Sequence, residues 1–174
     1  MKSHKAYLGL GSNLGDRVGT LNSAVRQLKT EPRFTLLRRA GTYTSRAIGE
    51  DSGGEFLNTA VACVWNDTPA ALLKWCQTVE FAHGRRRPYA NSPRTLDIDV
   101  LWIDHVAVNT PELSVPHPHL LERAFALVPL LDLEPLLTTL DTGRPLSGLL
   151  STELLHQGIE TAPPALGPQG VACV

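Results

Sequence analysis

The chain has 174 residues, 43% of them hydrophobic, and carries 16 Lys and Arg against 17 Asp and Glu. This length and hydrophobic share predict one domain with a sizeable core. A net charge of −1 argues against general binding to nucleic acid or to an anionic membrane, since both reward an excess of positive charge.

Lys5 to Leu10 reads as a short apolar strand, and Gly9-Leu10-Gly11-Ser12-Asn13-Leu14-Gly15 as the turn that follows. Asp16 is a helix N-cap candidate, and Val18, Leu21, Val25 and Leu28 recur at helical spacing to about Thr30, before Pro32. The glycine pattern is not a dinucleotide fingerprint: GxGxxG needs glycine at 14, where Leu14 stands, and GxxxxGK is absent. Phe34-Thr35-Leu36-Leu37 begins a strand expected to continue toward Thr42-Tyr43-Thr44. Ser45 to Glu55 is a long glycine-containing loop. Phe56 to Trp65 is the next strand, with Leu57, Thr59, Val61, Cys63 and Trp65 on one face and Phe56, Asn58, Ala60, Ala62 and Val64 on the other. Thr68-Pro69 opens a second helix, with Leu72, Leu73, Cys76 and Val79 as its buried stripe. Glu80, near the unfavourable end of that helix, calls for a basic neighbour such as Arg85 or Arg87.

Arg85 to Arg94 reads as a polar loop, and a mobile one is expected. Pro93-Arg94-Thr95-Leu96-Asp97-Ile98-Asp99-Val100-Leu101-Trp102 then reads as a buried strand, with Leu96, Ile98 and Val100 on one face. Asp97 and Asp99 leave the other face together, ~7 Å apart, and two acids so placed repel. Pairing with nearby arginines is one solution. A divalent metal is the other, and an oxygen-only ligand set points to Mg²⁺. Acids for metal beside arginines for phosphate oxygens suit a metal–nucleotide site. A two-metal phosphoester hydrolase is a further reading of the spacing, although that chemistry gathers more acids or histidines. Downstream, Asp104-His105 is a turn, Val106-Ala107-Val108 a hairpin return, and Pro111 to Pro118 a rigid connector. Leu120 to Leu133 is helical, broken at Pro129, and the pattern weakens after Glu134-Pro135.

The order strand-helix-strand, strand-helix-strand predicts an α+β, ferredoxin-like βαββαβ sandwich. Two helices cover one face of its sheet, and loops 45–55 and 85–94 roof the face bearing Asn58, Asp97 and Asp99. Residues 1–160 are expected to form the single domain and 161–174 a loose tail. Cys63, Cys76 and Cys173 have no CxxC spacing, so neither a zinc motif nor a disulfide framework is expected. With no signal-peptide pattern after Met1 and no window near the ~20 apolar residues of a membrane span, the expected location is cytoplasmic.

Gly11-Ser12-Asn13-Leu14-Gly15-Asp16, Phe56-Leu57-Asn58, Pro93-Arg94-Thr95-Leu96-Asp97-Ile98-Asp99, Val115-Pro116-His117-Pro118 and Arg123-Ala124-Phe125-Ala126-Leu127-Val128-Pro129-Leu130 occur in this order. Together they resemble the 6-hydroxymethyl-7,8-dihydropterin pyrophosphokinase family of folate biosynthesis, over about residues 6 to 135. The resemblance implies transfer of pyrophosphate from ATP to the hydroxymethyl group of a reduced pterin, releasing AMP. By the same resemblance Asp97 and Asp99 hold two Mg²⁺ ions and act with Arg85 and Arg94 in catalysis. Leu73, Gln77, Glu80, Arg85, Arg87, Arg94, Val100, Ser114, His117 and Arg123 match nucleotide positions. Ser45, Ile48, Phe56, Asn58 and Phe125 match pterin positions. A monomer acting on two small molecules, with no nucleic-acid or membrane partner, is expected. The chain departs from the family at Ser45-Arg46-Ala47, where a Thr and prolines are common, and at Asn91, where many members carry Trp. Glu112 and Pro118 are further departures.

Overall fold

The computed structural model describes residues 3–46, 54–84 and 95–162. Its first strand, β1 (His4–Ser12), is an interior strand of the sheet, paired on both sides. Alternation sends Ala6, Leu8 and Leu10 to one face and Tyr7, Gly9 and Gly11 to the other. On one edge β1 pairs antiparallel with β4 (Phe56–Trp65), from His4 opposite Trp65 to Ser12 opposite Leu57. On the other it pairs antiparallel with β5 (Asp97–Ile103), with Gly9 opposite Asp99 and Gly11 opposite Asp97. A bulge in that ladder, between Tyr7 and Leu8, resets the alternation, so Leu101 and Trp102 both join the Tyr7 side. The far edge of β4 takes β2 (Phe34–Arg39) and then β3 (Tyr43–Ser45), and β3 in turn takes β8 (Glu160–Thr161), all antiparallel.

Two helices bury the first face. In α1 (Arg17–Leu28), Leu21, Ala24, Val25 and Leu28 pack inward, and in α2 (Pro69–Ala82) Leu72, Cys76 and Val79 do. They meet Ala6, Leu8, Leu10, Leu57, Val61, Cys63, Trp65, Ile98 and Val100 from the sheet. Full burial of each leucine is worth about 1.5–3 kcal/mol. Burial also pushes the Cys63 thiol up to about 12 and raises that of Cys76, so both are protonated, free thiols of the core.

Both helix starts follow the sequence. The Asp16 carboxylate accepts the Gly19 N–H at 2.9 Å, and Thr68 Oγ1 accepts the Ala71 N–H at 3.2 Å with Pro69 as first helical residue. Thr68→Ala is expected to cost about 1 kcal/mol, lowering the melting midpoint by ~2–4 °C. An unchanged thermal melt would show that the cap contributes nothing.

The structure corrects four expectations. The turn placed at Gly9 starts only after Ser12, because β4 and β5 pair with β1 on both sides and override glycine's weak strand preference. The strand from Phe34 does not run on to Thr44: it breaks at residues 40–42. There Thr59 Oγ1 lies within hydrogen-bond reach of the Ala40 and Gly41 carbonyls, at 3.1 and 3.0 Å, and the Gly41 N–H is bound by Asp132 Oδ2 at 2.7 Å. The helix expected from Leu120 is a 3₁₀ turn, Leu120–Glu122, then extended Arg123, then α3 (Ala124–Leu133). Pro129 lies inside α3 without breaking it, since the lost hydrogen bond is offset by burial of Leu127, Leu130, Leu131 and Leu133.

Fourth, the second face of the sheet is covered by a helix, and the loops expected to roof it, 45–55 and 85–94, lie largely or wholly outside the described residues. Helix α3 covers Tyr7, Ala60, Ala62, Leu101 and Trp102 and forms a second core with Leu137, Leu146 and Leu154. Its C-terminal end is clasped to β1: Glu134 Oε2 accepts from Lys5 Nζ at 2.7 Å and from Tyr7 OH at 3.2 Å. The Lys5 hydrogen bond holds the Glu134 carboxyl below its usual range. A depressed carboxyl contributes stability above its unfolded value and loses it as pH falls through the folded one, so this clasp weakens in acid. The Asp104-His105 turn forms, with His105 at φ 58°, and β6 (Val108–Asn109) pairs with β7 (Ser114–Val115). Of the expected tail, Thr161 lies in β8 and the Ala162 N–H donates to Thr42 O at 2.8 Å; the remainder is outside the described residues. No helix among the described residues is long and apolar enough to cross a membrane.

Candidate active site

At the end of the second face that α3 leaves uncovered, the sheet opens into a cleft. Its floor is β1 backbone. A Cβ on Gly11 would stand 3.1 Å from Asn58 Oδ1 and 3.6 Å from the Phe56 ring, and a Cβ on Gly9 would stand 3.1 Å from the Leu101 side chain. The space therefore exists because these two strand positions lack side chains.

On one side of this floor stand Asp97 and Asp99, directly across β1 from Gly11 and Gly9, both half-buried. Their spacing is held from behind. Glu80, on α2 and only 3% exposed, accepts the N–H of Ile98, the residue between them, at 2.7 Å. Among the described residues β5 lies at the sheet edge, so Glu80 supplies the acceptor that a further strand would have offered. Thr95 Oγ1 donates to His83 O, tying the start of β5 to the end of α2. The basic neighbours expected for Glu80, Arg85 and Arg87, lie outside the described residues, as do Arg94 and Ile48.

On the opposite side, β4 contributes Phe56 and Asn58, and β3 contributes Ser45. Asn58 is 4% exposed, and its Nδ2 donates to Ser45 Oγ at 2.8 Å, which fixes the amide with Oδ1 toward Gly11. Arg123 and Phe125 close the cleft from the start of α3, with the guanidinium carbon 5.8 Å from the ring centre. Thus Ser45, Phe56, Asn58, Asp97, Asp99, Arg123 and Phe125 share one cavity.

The remaining expected residues do not line it. Leu73, Gln77 and Glu80 belong to α2, on the other face of the sheet, and Val100 is buried in the core there. Ser114 is half-buried in β7. His117 adjoins β5 through its backbone N–H, which donates to Leu101 O at 2.9 Å. Burial, with Arg123 and His119 adding to it, holds the His117 imidazole below its usual range. A neutral ring whose Nδ1 accepts the His119 N–H at 3.2 Å carries its proton on Nε2, as a donor.

Arg46, expected at the mouth of the site, does line the cleft, whereas sequence reasoning missed Gly9, Leu10, Gly11, Leu101 and Ala126. The glycines did leave a signal: they alternate with Leu8 and Leu10, which is one bare face of a strand.

Two carboxylates over a bare glycine floor, facing an oriented amide, two aromatic rings and a guanidinium, define a small-molecule site on an antiparallel α+β sandwich, with places for an anion and a flat polar ring. The chain belongs to the 7,8-dihydro-6-hydroxymethylpterin-pyrophosphokinase (HPPK) family, whose profile matches residues 7–135. It is 41% identical over 131 residues to the 2-amino-4-hydroxy-6-hydroxymethyldihydropteridine pyrophosphokinase of Methylorubrum extorquens, covering 75% of this chain and 83% of that one. The protein of that name from Bacillus subtilis is 37% identical over 128 residues, 74% of this chain and 77% of its own. The Pseudomonas aeruginosa protein is 36% identical over 161 residues, 92% of this chain and 98% of its own. A crystal structure of HPPK-DHPS in complex with substrates superposes with a TM-score of 0.66 at 13% identity, covering 86% of this chain and 43% of that one. Plasmodium falciparum HPPK-DHPS gives 0.60 at 13% identity, covering 84% and 43%. At that identity these two show the fold alone, the α+β sandwich expected from the element order.

Proposed function

We propose that this chain transfers the pyrophosphoryl group of ATP to the hydroxymethyl group of 6-hydroxymethyl-7,8-dihydropterin, releasing AMP, as a step of folate biosynthesis. The observation that carries this reading is the placement of Asp97 and Asp99 opposite Gly11 and Gly9, in one cleft with Asn58. The substrate hydroxyl oxygen attacks the β-phosphorus. The bond from that phosphorus to the α,β-bridging oxygen breaks, this oxygen leaves on AMP, and the hydroxyl proton is released.

The pterin is assigned to the Gly11 floor, between Phe56 and Phe125, with the Asn58 amide on its polar edge; Ser45 and Ile48 are assigned to it as well. Leu73, Gln77, Glu80 and Val100, which lie outside the cleft, are assigned to the nucleotide on the family resemblance alone. Its phosphates are assigned to Arg85, Arg87, Arg94, Ser114, His117 and Arg123. No other His, Cys, Asp or Glu among the described residues forms a metal-binding group of three or more with the two acids. A pair of carboxylates needing further oxygen ligands fits Mg²⁺ brought with a triphosphate. Two such ions, held by Asp97 and Asp99, would neutralise charge on the phosphates and align the β-phosphorus. The protein's own part is orientation: Glu80 fixes the strand between the two acids, and Asn58 fixes the acceptor ring. We read the enzyme as a cytoplasmic monomer, for which the buried free thiols of Cys63 and Cys76 are well suited.

Product analysis tests the assignment. Purified protein with Mg-ATP and the reduced hydroxymethylpterin should yield AMP and a pyrophosphorylated pterin in equal amounts. ADP, or phosphate release that does not require pterin, would refute it.

A further inference from the structure

The segment after the family match, residues 136–162, returns to the cleft and touches both of its walls. On one wall, β8 pairs with β3: Tyr43 lies opposite Thr161 and Thr44 opposite Glu160, immediately before Ser45 and Arg46 of the cleft. Gly158, at φ 74°, lies against the Arg46 stem, so that a Cβ there would meet Arg46 Nε at 3.4 Å. On the other wall, the Gln157 amide spans the break that precedes α3. Its Oε1 accepts the Ala124 N–H at 3.0 Å and its Nε2 donates to Glu122 O at 2.7 Å. Between those two contacts sits Arg123, extended at φ −123° and ψ 104°, which makes no side-chain cap of its own for α3. Buried Leu154 and half-buried Ile159 anchor this turn in the second core.

We infer that Gln157 is a positioning residue: by bridging the Glu122–Ala124 break it sets the direction in which Arg123 and Phe125 enter the cleft. Arg123 is tied to α3 on its carbonyl side, where its O accepts the Ala126 and Leu127 N–H groups at 3.1 and 3.0 Å; the turn that precedes it is joined to α3 through the Gln157 amide. One amide that satisfies a carbonyl on one side of the break and an N–H on the other locks the angle between them. Without it Arg123 samples other directions, and its ligand pays the ordering cost on binding. The inference rests on the assignment of Arg123 to the nucleotide.

The test compares the full chain with Gln157→Ala and Gln157→Glu. Calorimetry with a nonhydrolysable ATP analogue and MgCl₂ gives affinity, and amide hydrogen exchange at Ala124 gives the state of the break. Gln157→Ala is expected to weaken nucleotide binding about tenfold, equivalent to about 1.4 kcal/mol, and to speed Ala124 exchange about tenfold. Its melting midpoint should stay within ~3 °C of the parent. Gln157→Glu keeps the acceptor for Ala124 and should recover at least half of both losses. Affinity within twofold of the parent, or equal losses in both variants that track a fall in melting midpoint, overturns the inference. If the parent itself binds no nucleotide, the functional assignment fails. The positioning role is then judged on exchange alone, where an unchanged Ala124 rate refutes it.

Discussion

Asp97→Ala is expected to lower turnover by at least about 10³-fold, a loss of about 4 kcal/mol of transition-state stabilisation, while leaving the fold intact. Asp99→Ala should behave alike. The reasoning starts from the strand. Two carboxylates on one face of β5 repel, and aspartate is a poor strand residue, so the pair works against folding unless a cation joins it. A thermal melt of each variant without metal separates any loss of stability from the loss of turnover, and a melting midpoint within ~3 °C of the parent assigns the loss to the reaction. The cost falls on the reaction, where the triphosphate loses a cation that the remaining acid cannot hold with the same geometry. Steady-state kinetics at saturating ATP and pterin, with a thermal melt of each variant, measures both parts. Turnover within tenfold of the parent in either variant would contradict the metal assignment.

Gly11→Val is expected to weaken pterin binding about 100-fold, about 2.7 kcal/mol, with nucleotide affinity changed less than about fivefold. Even the first added carbon would stand 3.1 Å from Asn58 Oδ1 and 3.6 Å from the Phe56 ring. Its two methyl groups would then occupy the floor to which the proposed function assigns the ring. Asn58 cannot easily give way, because its Nδ2 is committed to buried Ser45. The strand itself should tolerate valine, a residue that favours β structure. Titration of each ligand separately distinguishes the two effects, and pterin affinity within threefold of the parent would show that the floor is not where the ring binds.

Legibility in the sequence followed the physics of each element. The helix starts at Asp16 and Thr68-Pro69 were readable because a cap is a local event, decided by one side chain and the next turn. The faces of β4 and the shared side of Asp97 and Asp99 were readable because alternation along a strand is fixed by backbone geometry. Gly9 and Gly11 were misread because glycine's local preference is for turns, whereas here pairing with β4 and β5 decides. The cover of α3 over the second face, and the return of Gln157 to Glu122 and Ala124, depend on contacts between residues far apart in the chain. Their sequence carries no periodic trace. Pro129 misled in the opposite sense: a strong local signal for a break was overridden by the burial of an almost wholly apolar helix.

The central claim is that Asp97 and Asp99 together hold the cations that a nucleotide triphosphate bridges. Electron paramagnetic resonance of Mn²⁺, titrated into the protein with a nonhydrolysable ATP analogue and the reduced pterin, tests it most directly. The account predicts two protein-bound ions per chain in the parent and their loss in the Asp97→Ala, Asp99→Ala double variant. Equal ion binding by the parent and the double variant would contradict it.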